Sequence, residues 1–197
     1  LRGLEYKSTR DSAMRALVKL DNEAIHMVLE LASNPHKPDL VRRYAWEAIG
    51  QIGTVKALNA LVSNLITAWG NTRRHILQIL LKLPQETGNE AVLDRIDRSG
   101  VETLIDQELM FIGQMYGALM DLNPEQITGR EADLLRRSLR DAIADAVERC
   151  FLLMKFLYRI STIQAASFNL RSGSPADMAR GLEILDQTLD MPTKRIW

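Results

Sequence analysis

The sequence repeats its own apolar pattern, and this constrains the fold more than any other feature. The period is about 31–32 residues over the first half of the chain, within the range that marks arrays of supersecondary units. Each unit of such an array buries its apolar face against the next one, so the contacts run between neighbours along the chain. Three sets of apolar residues align at this spacing: Ala13, Ala16, Leu17 and Leu20; Ala45, Ala48, Ile49 and Ile52; Ile76, Ile79, Leu80 and Leu83.

The central repeat shows what each unit contains. Its first apolar stripe ends at Gly53, a residue that readily adopts the left-handed conformation found at helix ends. A second stripe with helical spacing follows almost at once. Two amphipathic helices with so short a connection must lie antiparallel. The second stripe consists of Ala57, Leu58, Leu61, Val62, Leu65 and Ile66.

After residue 100 the pattern changes to long helices. Apolar positions predict one helix over 101–122 and another from Thr128 or Gly129 to about residue 159, each well beyond the mean length of about 11–12 residues. A shorter helix over 161–170 follows, and Ser174 with Pro175 predicts the start of a last one. The predicted inward residues of the long helices are Leu104, Ile105, Leu109, Ile112, Met115, Tyr116 and Leu119, then Leu135, Leu139, Ile143, Ala146, Cys150, Leu153 and Leu157.

These patterns predict an all-α fold, an α-α superhelix of the solenoid class. Residues 1–100 form the helical repeats, and residues 101–197 form a long helical hairpin with a C-terminal helix pair. We expect the hairpin to pack on the open end of the array, because an array needs an atypical unit to cover its last apolar face. The two parts would then form one continuous domain.

Composition argues against several classes of protein. Lys+Arg and Asp+Glu number 25 each, so the net charge is zero, whereas nucleic-acid-binding domains usually carry a basic excess. We therefore expect no nucleic-acid partner. The single cysteine leaves no internal disulfide framework and fits a reducing compartment. No apolar run reaches the roughly 18 residues of a membrane span.

No recognised spacing of chemical groups predicts an enzyme. His26, His36 and His75 are far apart, and no pair of histidines or cysteines has the spacing of a zinc site. Nucleophile elbows and phosphate-binding glycine loops are absent from the sequence. We therefore predict no catalytic residue, no cofactor and no metal. Carboxylates on the long helices, such as Glu102, Asp106 and Glu108, are interpreted as solvated partners of nearby arginines.

Two groups of polar residues are candidates for binding a partner. Lys56, Asn59 and Ser63 lie on the polar side of a second helix, the kind of helix that usually lines the concave face of a solenoid. Arginines also recur at one repeat position. They either join successive repeats by pairing with an Asp or a backbone carbonyl, or present charge to an acidic partner: Arg42, Arg43, Arg73 and Arg74. Trp46 and Trp69 are interpreted as packing residues.

The segment Val-Arg-x-x-Ala-x-x-Ala-Ile-Gly-x-Ile-Gly at 41–53 resembles the HEAT-repeat family. Its short period is similar to that of the HEAT-like repeats of phycobilisome lyases. The resemblance covers residues 8 to about 100. It implies an armadillo-like α-solenoid and a protein partner, which is the function of most such arrays.

A second resemblance concerns the later half. The helix over 135–157, with Asn-Leu-Arg-Ser at 169–172 and Arg-Gly-Leu-Glu-Ile-Leu-Asp at 180–186, is similar to the end of the HEAT region in certain bacterial multidomain proteins. Those proteins resemble ATP/ADP translocases in a membrane domain, and some carry a cyclic-nucleotide-binding domain. This implies a cytoplasmic, non-enzymatic linker or scaffold domain, such as the cytoplasmic part of an inner-membrane protein. Such a domain meets flanking domains and reaches the membrane only through a domain outside this chain.

An enzyme-linked protein is the alternative function, either a phycobilisome-lyase-like subunit or a HEAT-like DNA glycosylase. A glycosylase needs a basic groove with aromatic residues, which the zero net charge disfavours.

We also expect the chain to have covalent neighbours, with Trp197 near a surface that a following segment covers.

Overall fold

The computed structural model describes the backbone of residues 2–83 and 85–189 and the side chains of residues 2–83 and 92–189. The fold class is all-α, as predicted, since the described backbone contains nine α-helices and no β-strand. The chain divides into two compact units, Leu1–Gly100 and Val101–Trp197. The helices are α1 Arg10–Leu20, α2 Ile25–Ser33, α3 Asp39–Ile52, α4 Val55–Thr67, α5 Gly70–Lys82, α6 Gln85–Asp121, α7 Arg130–Leu157, α8 Ile160–Arg171 and α9 Pro175–Thr188.

The first unit is organised around α3, which contacts α1, α2, α4 and α5. Small and branched apolar side chains fill the contacts, so adjacent helices approach closely. Side-chain bonds at nearly the repeat period join one repeat to the next. Lys37 Nζ lies 2.8 Å from Glu5 Oε1, and Thr54 Oγ1 donates to Asn22 Oδ1 at 2.7 Å. The central buried residues are Val28, Ala45, Ala48, Ile49, Ala57, Leu61, Leu65, Ile76 and Leu80.

Two glycines shape the end of α3. Gly53 has φ 66° and ends the helix in the left-handed region, as the sequence predicts. Gly50 lies against α5, where an added Cβ would overlap the Cγ2 methyl of Ile79. A side chain at position 50 would therefore push α3 and α5 apart.

Some residues of the predicted stripes face solvent. Ala16 is exposed, Leu20 is 46% exposed and Ile66 is 46% exposed, while Met14 is buried instead. Leu20 is the last residue of α1 and Ile66 lies one residue before the end of α4. Helical periodicity identifies the direction of a side chain, but it does not show how far along the helix the neighbouring repeat extends.

Helix α6 is broken at Asp97, which has φ 53° and ψ 178°. The sequence pattern predicts that a new helix begins slightly later, at residue 101. The Asp97 carboxylate accepts a hydrogen bond from the Gly100 backbone N–H at 2.7 Å, so it caps the helix that continues to Asp121. An Asp tolerates this unusual backbone better than most residues because its side chain bonds to the nearby backbone.

The second unit has the predicted long helices. Gly129 precedes α7, and Ser174 caps α9 by accepting from the Asp177 N–H, with Pro175 in the first turn. Helices α8 and α9 pack closely, and Gly181 is buried against Leu170. The packing of this unit on the repeat array stays a prediction. Trp197 and its expected position lie outside the described residues.

Candidate interaction surfaces

The polar face of α4 is formed as the spacing predicts. Thr54 accepts a hydrogen bond from the Ala57 N–H and starts the helix, and from there Lys56, Asn59 and Ser63 are all exposed on one side. Val55 is 69% exposed at the beginning of the same side. This face is accessible in the described structure. Its role in binding stays a prediction.

Arg42 and Arg43 are adjacent but have different surroundings. Half-buried Arg42 donates from Nε to the Ala32 carbonyl at 3.1 Å and from Nη2 to Thr72 Oγ1 at 2.8 Å. It therefore joins the helices before and after its own repeat. Exposed Arg43 instead reaches Glu47 one turn along α3, with 3.3 Å between Nε and Oε1.

The equivalent pair one repeat later is placed differently again. Arg73 is 0% exposed, and its guanidinium carbon lies 4.6 Å from the centre of the Trp69 ring. Arg74 is half-buried. A shared repeat position thus produces one inter-repeat bridge at Arg42 and one buried cation at Arg73, because the neighbouring residues are not repeated.

Trp46 and Trp69 also differ. Trp46 is buried, as predicted. Trp69 is 55% exposed, so the prediction that it is a packing residue is wrong for the exposed part of this residue. The face of the Trp69 ring that is covered contacts Arg73 in a cation–π arrangement. Trp69 directly precedes α5 in an extended backbone conformation, with φ −128° and ψ 160°.

His75 lies on α5 beside the arginines. Burial lowers its pKa from the ordinary value of 6.5, and the nearby Arg43 and Arg74 act in the same direction, while Asp39 and Glu47 act against them. Its Nε2 is 4.0 Å from Asp39 Oδ2, and its buried Nδ1 has no hydrogen-bond partner among the described residues. The imidazole is therefore held in its neutral form near neutral pH.

The second unit exposes a continuous apolar face on α6. Between Glu108 and Asp121 the only side chain that is neither apolar nor glycine is Gln114. The sequence predicted that Leu109 and Tyr116 point inward, yet they are 41% and 52% exposed. Two glycines lie among them on the same face, and an added Cβ at either would meet nothing within 4 Å. We call this surface the α6 face: Leu109, Met110, Gly113, Tyr116, Gly117 and Met120.

The opposite side of α6 is half-buried and also apolar. This explains why the sequence pattern assigned Leu109 and Tyr116 to the wrong side of the helix. Phe111, Ile112, Met115 and Leu119 occupy that side. A helix that is apolar all round contains no pattern that distinguishes its inner face from its outer face. Only the packing of the folded chain decides it. On α7 the predicted inward stripe is buried at Ile143, Ala146, Cys150 and Leu153, but Leu135 is 48% exposed.

The interpretation of Glu108 as a solvated carboxylate is wrong. Glu108 is 0% exposed, and its Oε2 accepts from Arg149 Nε at 3.0 Å and lies 2.9 Å from Nη2. Arg149, on α7, is also buried. A carboxylate and a guanidinium removed from water together can compensate each other through such bonds. The sequence contains no signal for this pair, since its members are 41 positions apart.

Arg136 forms a second buried centre at the turn between α6 and α7. It donates to the carbonyls of Leu122 and Ile127 and pairs with Asp133 at 2.7 Å. Asp133 lies three residues before Arg136, a spacing that brings side chains together on a helix, but nothing in the sequence indicates that the guanidinium is buried. Arg136 therefore satisfies backbone carbonyls of the connection between the two helices.

A groove between α7 and α8 has a volume of about 350 Å³. Its lining mixes aromatic and aliphatic side chains with two cations, Lys155 and Arg171. Burial lowers the pKa of Lys155, and Arg171 lowers it further, while Glu148 opposes them. Nothing in the sequence pattern indicates this groove, because the residues that line it are interspersed with core residues of the same helices.

The part of the chain that the structure describes contains neither a cluster of metal ligands nor a membrane-spanning helix. No three His, Cys, Asp or Glu side chains there lie close enough together to hold a metal ion. Among the same residues, no helix combines the length and apolar character that crossing a membrane requires.

Part of the chain matches a known family of repeats. The family model described as HEAT repeats matches residues 1–82. This supports a HEAT-repeat domain in the first unit, as the motif at 41–53 indicates, and HEAT repeats generally mediate protein interactions and typically act as non-catalytic scaffolds. No curated protein and no solved structure matches the chain.

Proposed function

We propose that the chain is a non-enzymatic protein-interaction domain that binds an apolar helix of a partner protein on the α6 face. The observation that carries this proposal is the exposure of Leu109, Met110, Tyr116 and Met120 along one side of one helix. Contiguous exposed apolar patches are uncommon on isolated domains and often mark interaction sites. Burying such side chains against a partner contributes about 25 cal/mol per Å² of apolar surface.

Gly113 and Gly117 favour a helix as the bound element. A glycine inside a helix costs about 1 kcal/mol relative to Ala, and the space above these two is open. Small residues four positions apart let a second helix backbone approach closely, while the larger side chains on either side pack around it. The α6 face thus combines a shallow central channel with apolar walls.

The α4 face is proposed as a second, polar contact. Lys56, Asn59 and Ser63 are accessible there, and HEAT repeats generally mediate protein interactions. Arg43 adds an exposed charge on α3. In this proposal the remaining arginines of the repeat position, Arg42, Arg73 and Arg74, contribute by holding successive helices in place rather than by extended contact with the partner.

We also propose a setting for the domain. The resemblance of residues 135–157, 169–172 and 180–186 to the HEAT region of translocase-like bacterial proteins supports a cytoplasmic linker between a membrane domain and other domains. The partner helix would then belong to a flanking domain or to an associated protein. The sequence of the complete parent protein tests this directly, since a linker requires a membrane domain elsewhere in it.

The test of the α6 face uses glycine substitutions, because they separate docking from folding. Gly113→Leu and Gly117→Leu place a side chain where nothing lies within 4 Å, so the thermal midpoint should be unchanged or higher. A photo-crosslinking residue at Met120 should capture a defined partner peptide in the parent organism's extract, and both leucine variants should lose that crosslink.

Gln114→Leu is the matched control, since it adds the same side chain next to Gly113, at the edge of the α6 face and not in its central channel. It should leave the crosslink intact. Crosslinking to a second copy of this chain would show that the α6 face mediates self-association, and the proposal of a separate partner protein would be wrong. Unchanged crosslinking in the leucine variants would contradict docking on this face. Turnover of a substrate, or tight binding of duplex DNA at physiological salt, would contradict the non-enzymatic scaffold itself.

A further inference from the structure

The groove between α7 and α8 lies within the second unit and has no role in the α6 face. Helix α7 forms one wall and α8 the other, with the end of α8 closing one side. Its volume is about 350 Å³. The lining residues are Glu148, Phe151, Leu152 and Lys155 from α7 and Gln164, Ser167, Phe168, Arg171 and Ser172 from α8 and its end.

Lys155 is the unusual residue of this groove. It is half-buried on the last turn of α7, yet among the described residues its ammonium group has no hydrogen bond and no carboxylate within ion-pair distance. Burial and the charge of Arg171 both lower its pKa. Arg171 likewise has no ion-pair partner in the described part of the chain. The two neighbouring cations have only one carboxylate in the groove, Glu148, so one positive charge stays uncompensated, and a bound anion would offset its cost.

The remaining lining indicates what accompanies the anion. Phe168 is 77% exposed at the edge of the groove, whereas Phe151 and Leu152 form its buried floor. The Ser172 hydroxyl oxygen accepts from the Ser174 N–H, which leaves its own O–H free to donate. The groove therefore presents positive charge and a hydroxyl donor beside an apolar surface.

Glu148 limits the charge that the groove can accept. With Lys155 and Arg171 it leaves a formal excess of one positive charge in the lining. The end of α8 also contributes its carbonyls, whose partial negative charge repels anions. A singly charged carboxylate matches this environment better than a doubly charged phosphate.

We propose that this groove binds an acidic segment of a protein, with a carboxylate side chain placed between Lys155 and Arg171 and an adjoining apolar side chain packed on Phe168. The proposal adds a second site to the molecule, and it stands or falls independently of the α6 face. A charged hydrogen bond of this kind, partly shielded from water, contributes specificity as well as affinity.

The binding experiment uses an acetylated and amidated Leu-Glu-Phe peptide added to the ¹⁵N-labelled chain. Amide signals of Ser167, Phe168 and Arg171 should shift in a saturable manner. Lys155→Met should weaken binding about tenfold, the effect of losing one charged hydrogen bond. Lys19→Met, which removes an exposed lysine from the last turn of α1, is the matched control and should bind as the unchanged chain does.

Two further peptides identify the chemistry. Leu-Gln-Phe lacks the carboxylate. The unchanged chain should therefore bind it no more tightly than the Lys155→Met variant binds Leu-Glu-Phe. Tighter binding of a Leu-phosphoserine-Phe peptide would assign the groove to a phosphate and overturn the carboxylate assignment. Equal binding of the Glu and Gln peptides, or no binding of either, would overturn the proposed site.

A thermal melt gives a readout that does not depend on any ligand. Lys155→Met keeps the length of the side chain and removes its charge, so the midpoint should rise if the cation lacks compensation. Lys19→Met should leave the midpoint nearly unchanged. A lower midpoint for Lys155→Met would show that the ammonium group already has a stabilising partner in the free protein, and the proposal would be wrong.

Discussion

The two units of this chain treat charge and apolar surface in opposite ways. In the first unit, among the described side chains, Arg73 is the one buried charged residue, and the core consists mainly of small and branched apolar residues around Trp46. The second unit buries Glu108, Arg136 and Arg149 while α6 exposes large apolar side chains to solvent. Both units are helical, so the difference does not come from secondary structure.

The difference follows from how each unit obtains its contacts. A repeat is covered by the next copy of itself, so its apolar face is predictable and its polar residues stay outside. Long helices have no such copy, and their side chains meet whatever the fold brings alongside. The pair of Glu108 and Arg149, 41 positions apart, is a contact of that kind. Local patterns therefore describe the first unit better than the second.

Breaking the buried ion pair should produce the largest effect. Glu108→Ala leaves Arg149 buried without its carboxylate, and losing one member of such a pair typically costs about 3–5 kcal/mol. Urea unfolding measures the loss. Glu183→Ala, at an exposed position of α9, should change the unfolding free energy by no more than about 0.5 kcal/mol. Similar losses for both variants would show that the second unit does not depend on buried charge.

Removing a core side chain of the repeats tests the first unit in the same way. Leu61 is 0% exposed, and Leu61→Ala should cost about 2–5 kcal/mol. Ile66 is on the same helix but 46% exposed, so Ile66→Ala should cost much less. Lys56→Ala, on the exposed face, should stay within about 0.5 kcal/mol. If Ile66→Ala cost as much as Leu61→Ala, both residues would have to lie inside the array.

The smallest expected effect is on the pH dependence of stability. It tests the contrast between a partly buried group that is neutral, His75, and buried charges that are paired. The folded-state pKa of His75 is lower than its value of 6.5 in the unfolded chain. As pH falls through 6.5 the unfolded chain takes up the proton first, so the folded state loses stability, and the loss is complete below the folded pKa. The thermal midpoint should therefore fall on acidification toward pH 5.5.

His75→Gln should reduce this acid dependence, because glutamine stays neutral. His26→Gln is the control, since His26 is exposed. A midpoint that falls equally in the unchanged chain and in His75→Gln would locate the acid sensitivity elsewhere in the molecule.

Much of the first unit was accessible from the sequence, and the reasons are local. The spacing of Ala45, Ala48 and Ile49 predicts their buried face, and Gly53 predicts the end of α3. The candidate surface at Lys56, Asn59 and Ser63 follows from the same periodicity, because a residue opposite a buried stripe must be exposed. Errors arose at Leu20, Ile66 and Trp69, which lie at or beside helix ends, and at Ala16 in the middle of α1.

The candidate sites of the second unit were not accessible in this way. Nothing near Glu108 or Lys155 in the sequence shows that one is paired and the other is not. The inner and outer faces of α6 have the same apolar character, so the exposed face became known only from the folded chain. The charge of Arg171 affects Lys155 because α8 folds back along α7.

The sequence by itself determined the helices, their approximate ends and the repeat, since these depend on backbone preferences and on apolar residues a few positions apart. Tertiary structure alone decided which charges are buried together, which apolar face stays uncovered and where two cations share a groove. The physical reason is range. Helix periodicity acts over one or two turns, whereas burial and electrostatic interaction act between any residues that the fold brings within a few ångströms.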